Sequence, residues 1–192
     1  MSVELEQVIA DVAAALVSID QCGVSFKQFQ PGVGPYGEPQ LLAAVTRYFN
    51  TIPAYEGLVK TKRTPDLLIP GQWALEFKLA RPFGDNGREA ESWSVNLLHP
   101  YEGNVSLIGD CLKLQSLGGP ERKAVVVVGY EHTRPKIPLS PLIGAFELVA
   151  TRVAGVRIGS RVQVIQANLC HPVHQQFLVA AWEVLSSSPD RT

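Results

Sequence analysis

Residues 64–78 read Thr-Pro-Asp-Leu-Leu-Ile-Pro-Gly-Gln-Trp-Ala-Leu-Glu-Phe-Lys, two apolar runs hinged at a Pro-Gly pair. Such runs bounded by turn residues read as paired β-strands. Each carries charge where a sheet interior tolerates little: Asp66 in the first, Glu76 and Lys78 in the second. Ionised groups are expensive to bury unless they are paired or coordinate metal. The segment therefore demands a sheet, and it demands partners for its carboxylates.

Side chains alternate along a strand, so Glu76 and Lys78 leave on one face and Leu75, Phe77 and Leu79 on the other. Where Asp66 points depends on the turn. A two-residue turn at Pro70-Gly71 would set Asp66 opposite Leu75, on the wrong face. A three-residue turn through Gln72, or a bulge, sets it opposite Glu76. In that register two carboxylates meet and repel, and a hard cation removes the conflict. Mg²⁺, which takes a few oxygen ligands and keeps several waters, is the expected ion, with Mn²⁺ as its substitute. Asp66 and Glu76 are the expected metal ligands, joined by the carbonyl of Phe77. Lys78 would then orient or help deprotonate a water, or balance charge on a phosphate in flight.

The rest of the chain supplies the frame. Val8, Ile9, Val12, Leu16 and Ile19 predict an amphipathic helix over 3–19. A proline- and glycine-rich loop over 30–39 leads to a second helix beginning near Pro39, with Leu41, Leu42, Val45, Tyr48 and Phe49 as its apolar stripe. A weak strand over 55–60 precedes the stronger ones over 66–69 and 73–79. The polar stretch 81–104 has room for a short helix around 89–98. A helix over 105–117 follows, then a strand over 124–130 whose four consecutive valines suit burial on both faces. A helix over 141–153, a strand over 162–167 and a closing helix over 174–185 complete the order, with a loose polar tail from Ser186. Strands clustered before the alternation begins predict an α/β fold with a mixed central β-sheet flanked by helices. With 192 residues, 46% of them hydrophobic, a single domain over 1–192 is expected.

Formal net charge is −1, so any nucleic-acid surface must be local. Lys60, Lys62 and Arg63, with Lys78 and Arg81, offer such a phosphate-binding surface, and Lys113 on the following helix is a further phosphate contact. Three widely spaced cysteines fit a reducing compartment rather than a disulfide framework. The N-terminal stretch is interrupted by acidic residues and reads as neither signal peptide nor membrane span, so a soluble, cytoplasmic chain is expected.

Pro65-Asp66 and Glu76-Phe77-Lys78, in a strand-turn-strand setting followed by a helix and a strand, resemble the PD-(D/E)xK nuclease superfamily. The resemblance spans about 37–130. It implies a restriction-endonuclease-like αβββαβ core, here with an N-terminal helix and a C-terminal helix-strand-helix extension over 139–185. It implies a metal-dependent nuclease acting on DNA rather than RNA, and it is compatible with a homodimer. Members commonly carry a glutamate on the helix before the hairpin. Glu38 is the match here, at the very start of its helix, with Glu4 and Glu6 as substitutes. The alternative on the same fold is a non-catalytic nucleic-acid-binding or protein-interaction module.

Other polar groups stand apart from this pattern. His99, within the motif 99–104, is a candidate acid-base or supporting group. Cys170-His171-Pro172-Val173-His174 lacks the second ligand pair of a structural zinc site. The glycine clusters at 32–34 and 84–87 lack phosphate-loop spacing.

Overall fold

The computed structural model describes residues 2–101 and 105–186. The end of the motif at 99–104 and the tail over 187–192 lie outside the described residues. Apolar periodicity produces α1 (Leu5–Gln21), which buries Val8, Ile9, Val12 and Leu16. The next helix, α2 (Glu38–Phe49), carries Pro39 in its first turn, where a missing N–H leaves no bond unmade. Where sequence predicts a strand from residue 55, the chain makes a 3₁₀ turn, Pro53–Tyr55, and only β1 (Lys60–Thr61) is extended. The motif hairpin is β2 (Leu67–Ile69) and β3 (Trp73–Ala80). The helix expected around 89–98 shrinks to one turn, α3 (Val95–Leu98). Then α4 (Leu107–Ser116), β4 (Arg122–Glu131), α5 (Ser140–Arg152) and β5 (Val162–Ala167) follow near their expected places.

One element overturns its expectation. The segment predicted as a closing helix is a strand, β6 (Gln176–Glu183). Its Ala, Leu and Gln content favours helix, but a short continuous apolar run also suits a strand covered on both faces. The tertiary setting decides, because β6 is hydrogen-bonded to β4 on one side and β5 on the other, antiparallel to both. The C-terminal extension is therefore helix-strand-strand rather than helix-strand-helix.

All strands join one mixed sheet in the order β1-β2-β3-β4-β6-β5. Only β3 and β4 are parallel, and the connection between them carries α3 and α4. Parallel neighbours need such a crossover, which obliges α4 to pack across the strand that bears Glu76 and Lys78. Alternation along β3 then sorts the core into two layers. Trp73, Leu75 and Phe77 join α1 and α2 on one face. Ala74 and Ala80 join α4 and α5 on the other. Glu76 and Lys78 share that second face by strand geometry. No helix among the described residues is long and apolar enough to cross a membrane.

A buried polar knot ties the loops at one end of the sheet and accounts for the Cys170–His174 motif. Asp20, 3% exposed, accepts from the Val33 amide at 3.0 Å and the Cys170 amide at 2.9 Å. His171 Nδ1 accepts from the amides of Val173 and His174, so its proton sits on Nε2, 2.7 Å from Asp85 Oδ1. His174 Nε2 donates to the Phe83 carbonyl at 2.9 Å, and the two imidazoles stack with centroids 4.4 Å apart. Gly34 lies flat against the His174 ring, where a Cβ would collide with it. These nitrogens are committed to backbone and carboxylate partners, save His174 Nδ1, which is buried without a hydrogen-bond partner among the described residues.

Candidate active site

The turn between β2 and β3 decides the site. Ile69 pairs with Trp73, so Pro70, Gly71 and Gln72 form a three-residue turn, and the register of Leu67 with Leu75 brings Asp66 opposite Glu76. This is the alignment the metal reading demands. Gly71 holds the turn with φ +69°, a left-handed conformation that a Cβ disfavours. Gly71→Ala meets no neighbour within 4 Å. It should lower stability by about 1 kcal/mol through backbone strain alone, with the register kept. Chemical denaturation reads the first effect, and Mg²⁺ affinity close to that of the unsubstituted chain reads the second.

Asp66 lies just before β2, and its Oδ2 accepts from the Phe77 amide at 2.8 Å. This bond draws the carboxylate over the middle of β3. Glu76 is 1% exposed, and its Oε1 stands 2.9 Å from the Lys113 ammonium. Lys113 also lies 3.0 Å from Asp110 Oδ1, while Asp110 Oδ2 lies 2.6 Å from the Lys78 ammonium. Lys78 in turn donates to the Phe77 carbonyl at 3.2 Å, which places that carbonyl on the site's side of the strand. Both ammonium groups lie within hydrogen-bond distance of their oxygens, so Lys113 on Glu76 Oε1 and Lys78 on Asp110 Oδ2 are tight ion pairs with buried carboxylates.

Asp110 is the residue that sequence reading passed over as an ordinary polar position. Its spacing held the signal: it falls one turn from Leu107 and Leu114, on the stripe that must face the sheet. An acid on such a stripe needs a partner in the core. The helix that carries it is fixed by Ser106, whose Oγ accepts from the Gly109 amide at 3.1 Å and donates to the His99 carbonyl at 2.6 Å. His99 thus holds the start of α4 through its backbone.

Glu38 opens α2, in the opposite layer, and lies near enough to the site to feel the charges of Lys78, Asp66 and Asp110. Burial raises its pKa most, Lys78 opposes that rise, and Asp66 and Asp110 add to it. Arg81 explains how Glu38 is placed. Its guanidinium donates to the carbonyls of Gly34 at 3.0 Å and Tyr36 at 2.9 Å, clamping the segment that leads into α2. Those bonds correct the expectation that Arg81 is a surface phosphate contact. Burial pulls its pKa down, with Tyr130 and Glu38 opposing. Lys62 and Arg63 are exposed, and Arg63 lines the pocket.

Electrostatically the site is short of positive charge. Glu38, Asp66, Glu76 and Asp110 are coupled to Lys78 and Lys113, four carboxyl groups against two ammonium groups. Burial pushes the Glu76 pKa well above the ordinary carboxylate range, Lys113 pulls against it, and Asp66 and Asp110 push it further. For Lys113, burial lowers the pKa, but the closeness of Glu76 and Asp110 outweighs it and the net shift is upward. The pocket over Asp66, Glu76, Lys78, Asp110 and Lys113 measures about 560 Å³. A separate concavity of about 610 Å³ beside Tyr55 is lined by no Lys or Arg among the described residues and suits phosphate poorly.

Among the described residues no group of three or more His, Cys, Asp or Glu side chains is gathered to hold a metal ion. Mg²⁺ does not require one, since it is commonly held by one or two carboxylates with waters completing its shell. Asp66, Glu76 and the Phe77 carbonyl fit that requirement, and Glu76, 1% exposed, is a ligand group already desolvated. Compared with family models, curated proteins and solved structures, the chain finds no match.

Proposed function

We propose that the chain is a Mg²⁺-dependent nuclease hydrolysing phosphodiester bonds in DNA, on a restriction-endonuclease-like αβββαβ core. The observation that carries this reading is the register of the hairpin, which sets Asp66 opposite Glu76 with Lys78 on the same face. The order α2, β1, β2, β3, α4, β4 supports it, as does the position of Glu38 near the two carboxylates.

Asp66, Glu76 and the Phe77 carbonyl would hold the ion. When bound there, Mg²⁺ supplies Lewis-acid polarisation of the scissile phosphate and lowers the pKa of a coordinated water. Lys78 orients the attacking water and balances charge on the phosphate, and Asp110 fixes the reach of its ammonium. Arg63 and Lys62 at the rim engage flanking phosphates, which set the position of the strand rather than the sequence read. Glu38 adds a carboxylate from the far side and holds the geometry of the first two.

The test is cleavage of linear, nicked, single-stranded and branched DNA with Mg²⁺ and with Mn²⁺. Cleavage that survives both Asp66→Ala and Lys78→Ala would sink the assignment. One observation favours the non-catalytic reading: both site lysines are ion-paired within the chain. Thermal melts separate the two. A nuclease site binds Mg²⁺ and raises the melting temperature at millimolar concentration, and Asp66→Asn removes that rise. A binding module shows neither effect.

A further inference from the structure

Resting on the nuclease reading, we propose that Lys113 is the counter-ion that a divalent cation replaces at Glu76, and that Asp110 is the positioning residue that keeps the displaced lysine. Glu76 Oε1 holds the Lys113 ammonium at 2.9 Å. The ammonium therefore occupies this oxygen as its counter-ion. A cation shared between Asp66 and Glu76 needs the same oxygen, and two positive centres at contact distance repel strongly in a desolvated site. One of them has to leave.

The fold gives Lys113 a place to go. Its side chain is 39% exposed, against 1% for Glu76 and 4% for Asp110, so it sits at the mouth of the pocket. Asp110, one helical turn earlier on the same face, already lies 3.0 Å from its ammonium. A change of side-chain rotamer releases Glu76 while that ion pair persists, with no backbone movement. Asp110 then carries both lysines, Lys78 on Oδ2 and Lys113 on Oδ1, beside the phosphate-binding space. In the metal-free chain Lys113 acts as an internal competitor for the ion, and it lowers the charge repulsion that an empty carboxylate pair would suffer.

Isothermal titration of Mg²⁺ and of Mn²⁺ into the full chain tests this, with circular dichroism to establish folding of each variant. Lys113→Met should bind either ion about tenfold more tightly than the unsubstituted chain, the scale of one unit of charge interaction. Lys113→Arg, which keeps the charge, should bind with nearly unchanged affinity. If Lys113→Met binds no more tightly while Asp66→Asn abolishes binding, the competitor role is overturned and the metal site stands. If neither the unsubstituted chain nor Lys113→Met binds either ion, or if Asp66→Asn binds as before, both readings fall. Should Lys113→Met not fold, Lys113→Gln takes its place with the same expected tightening.

Discussion

Glu76→Gln is expected to melt higher than the unsubstituted chain without divalent ions, and to lose cleavage with them. In the folded chain the Glu76 pKa lies above its usual 4.5, chiefly through burial and then through Asp66 and Asp110. A carboxyl group with a raised folded pKa contributes stability that is full below the unfolded value and is lost as pH rises through the folded one. Above pH 4.5 the unfolded chain releases a proton that the folded chain tends to keep, which costs stability, and a neutral amide of the same shape removes that cost. The gain should grow with pH and reach on the order of 1–2 kcal/mol in mildly alkaline buffer. Lys113 retains Asp110 as a partner in the variant, so little opposes the gain. Cleavage should fall by about a thousandfold, because the amide is a poor ligand for a hard cation. Urea denaturation between pH 5 and 8, paired with a cleavage assay, reads both. A variant that is no more stable at any pH would show that the Lys113 ion pair fully offsets the burial of the Glu76 charge. A variant that cleaves normally would show that the chemistry lies elsewhere.

The second large effect lies in the loops just beyond the end of β3. His174 is 2% exposed, and burial lowers its pKa from 6.5 to about 4, against the opposing bond to the Phe83 carbonyl. Its neutral form is the one that folds. A histidine with a depressed folded pKa contributes stability that is full above the unfolded value and is lost as pH falls through the folded one. Between pH 6.5 and 4 the unfolded chain takes up a proton that the folded chain refuses, and stability should drop by about 3 kcal/mol from this group. His174→Gln keeps an amide donor for the Phe83 carbonyl and cannot take the proton. Its stability should be lower at neutral pH and flatter across that window. An unchanged acid slope in the variant would place the pH sensitivity in the carboxylates instead.

These two sites differ in how much of each was legible from residues alone. Glu76 and Lys78 share a face because strand alternation is local, so their pairing follows from sequence once β3 is a strand. Lys113 was legible as a nearby cation, but its partners were not. It binds Glu76 and Asp110, contacts set by the crossover of α4 rather than by spacing. Arg81 looked like a surface cation in a charged loop, and only the fold brings the carbonyls of Gly34 and Tyr36 to it. The histidines after Cys170 looked like a broken metal motif, and the fold turns them into a loop clamp.

By itself the sequence determined the elements with strong local signals. These are α1, α2 and α4 by their apolar stripes, β4 by its valine run, and the hairpin by its Pro-Gly turn. It also determined that charged side chains must be accommodated within that hairpin. Tertiary structure alone decided two matters. It made β6 a strand, because ladder partners on both sides outweigh helix propensity in a short apolar run, Phe177 to Trp182. It also chose the length of the turn, and with it the face of Asp66. A shift of one residue moves every side chain of a strand to the other face, and the local preferences of Pro70 and Gly71 are compatible with either register. The packing of Leu67 and Ile69 against the core selects the one that brings Asp66 to Glu76.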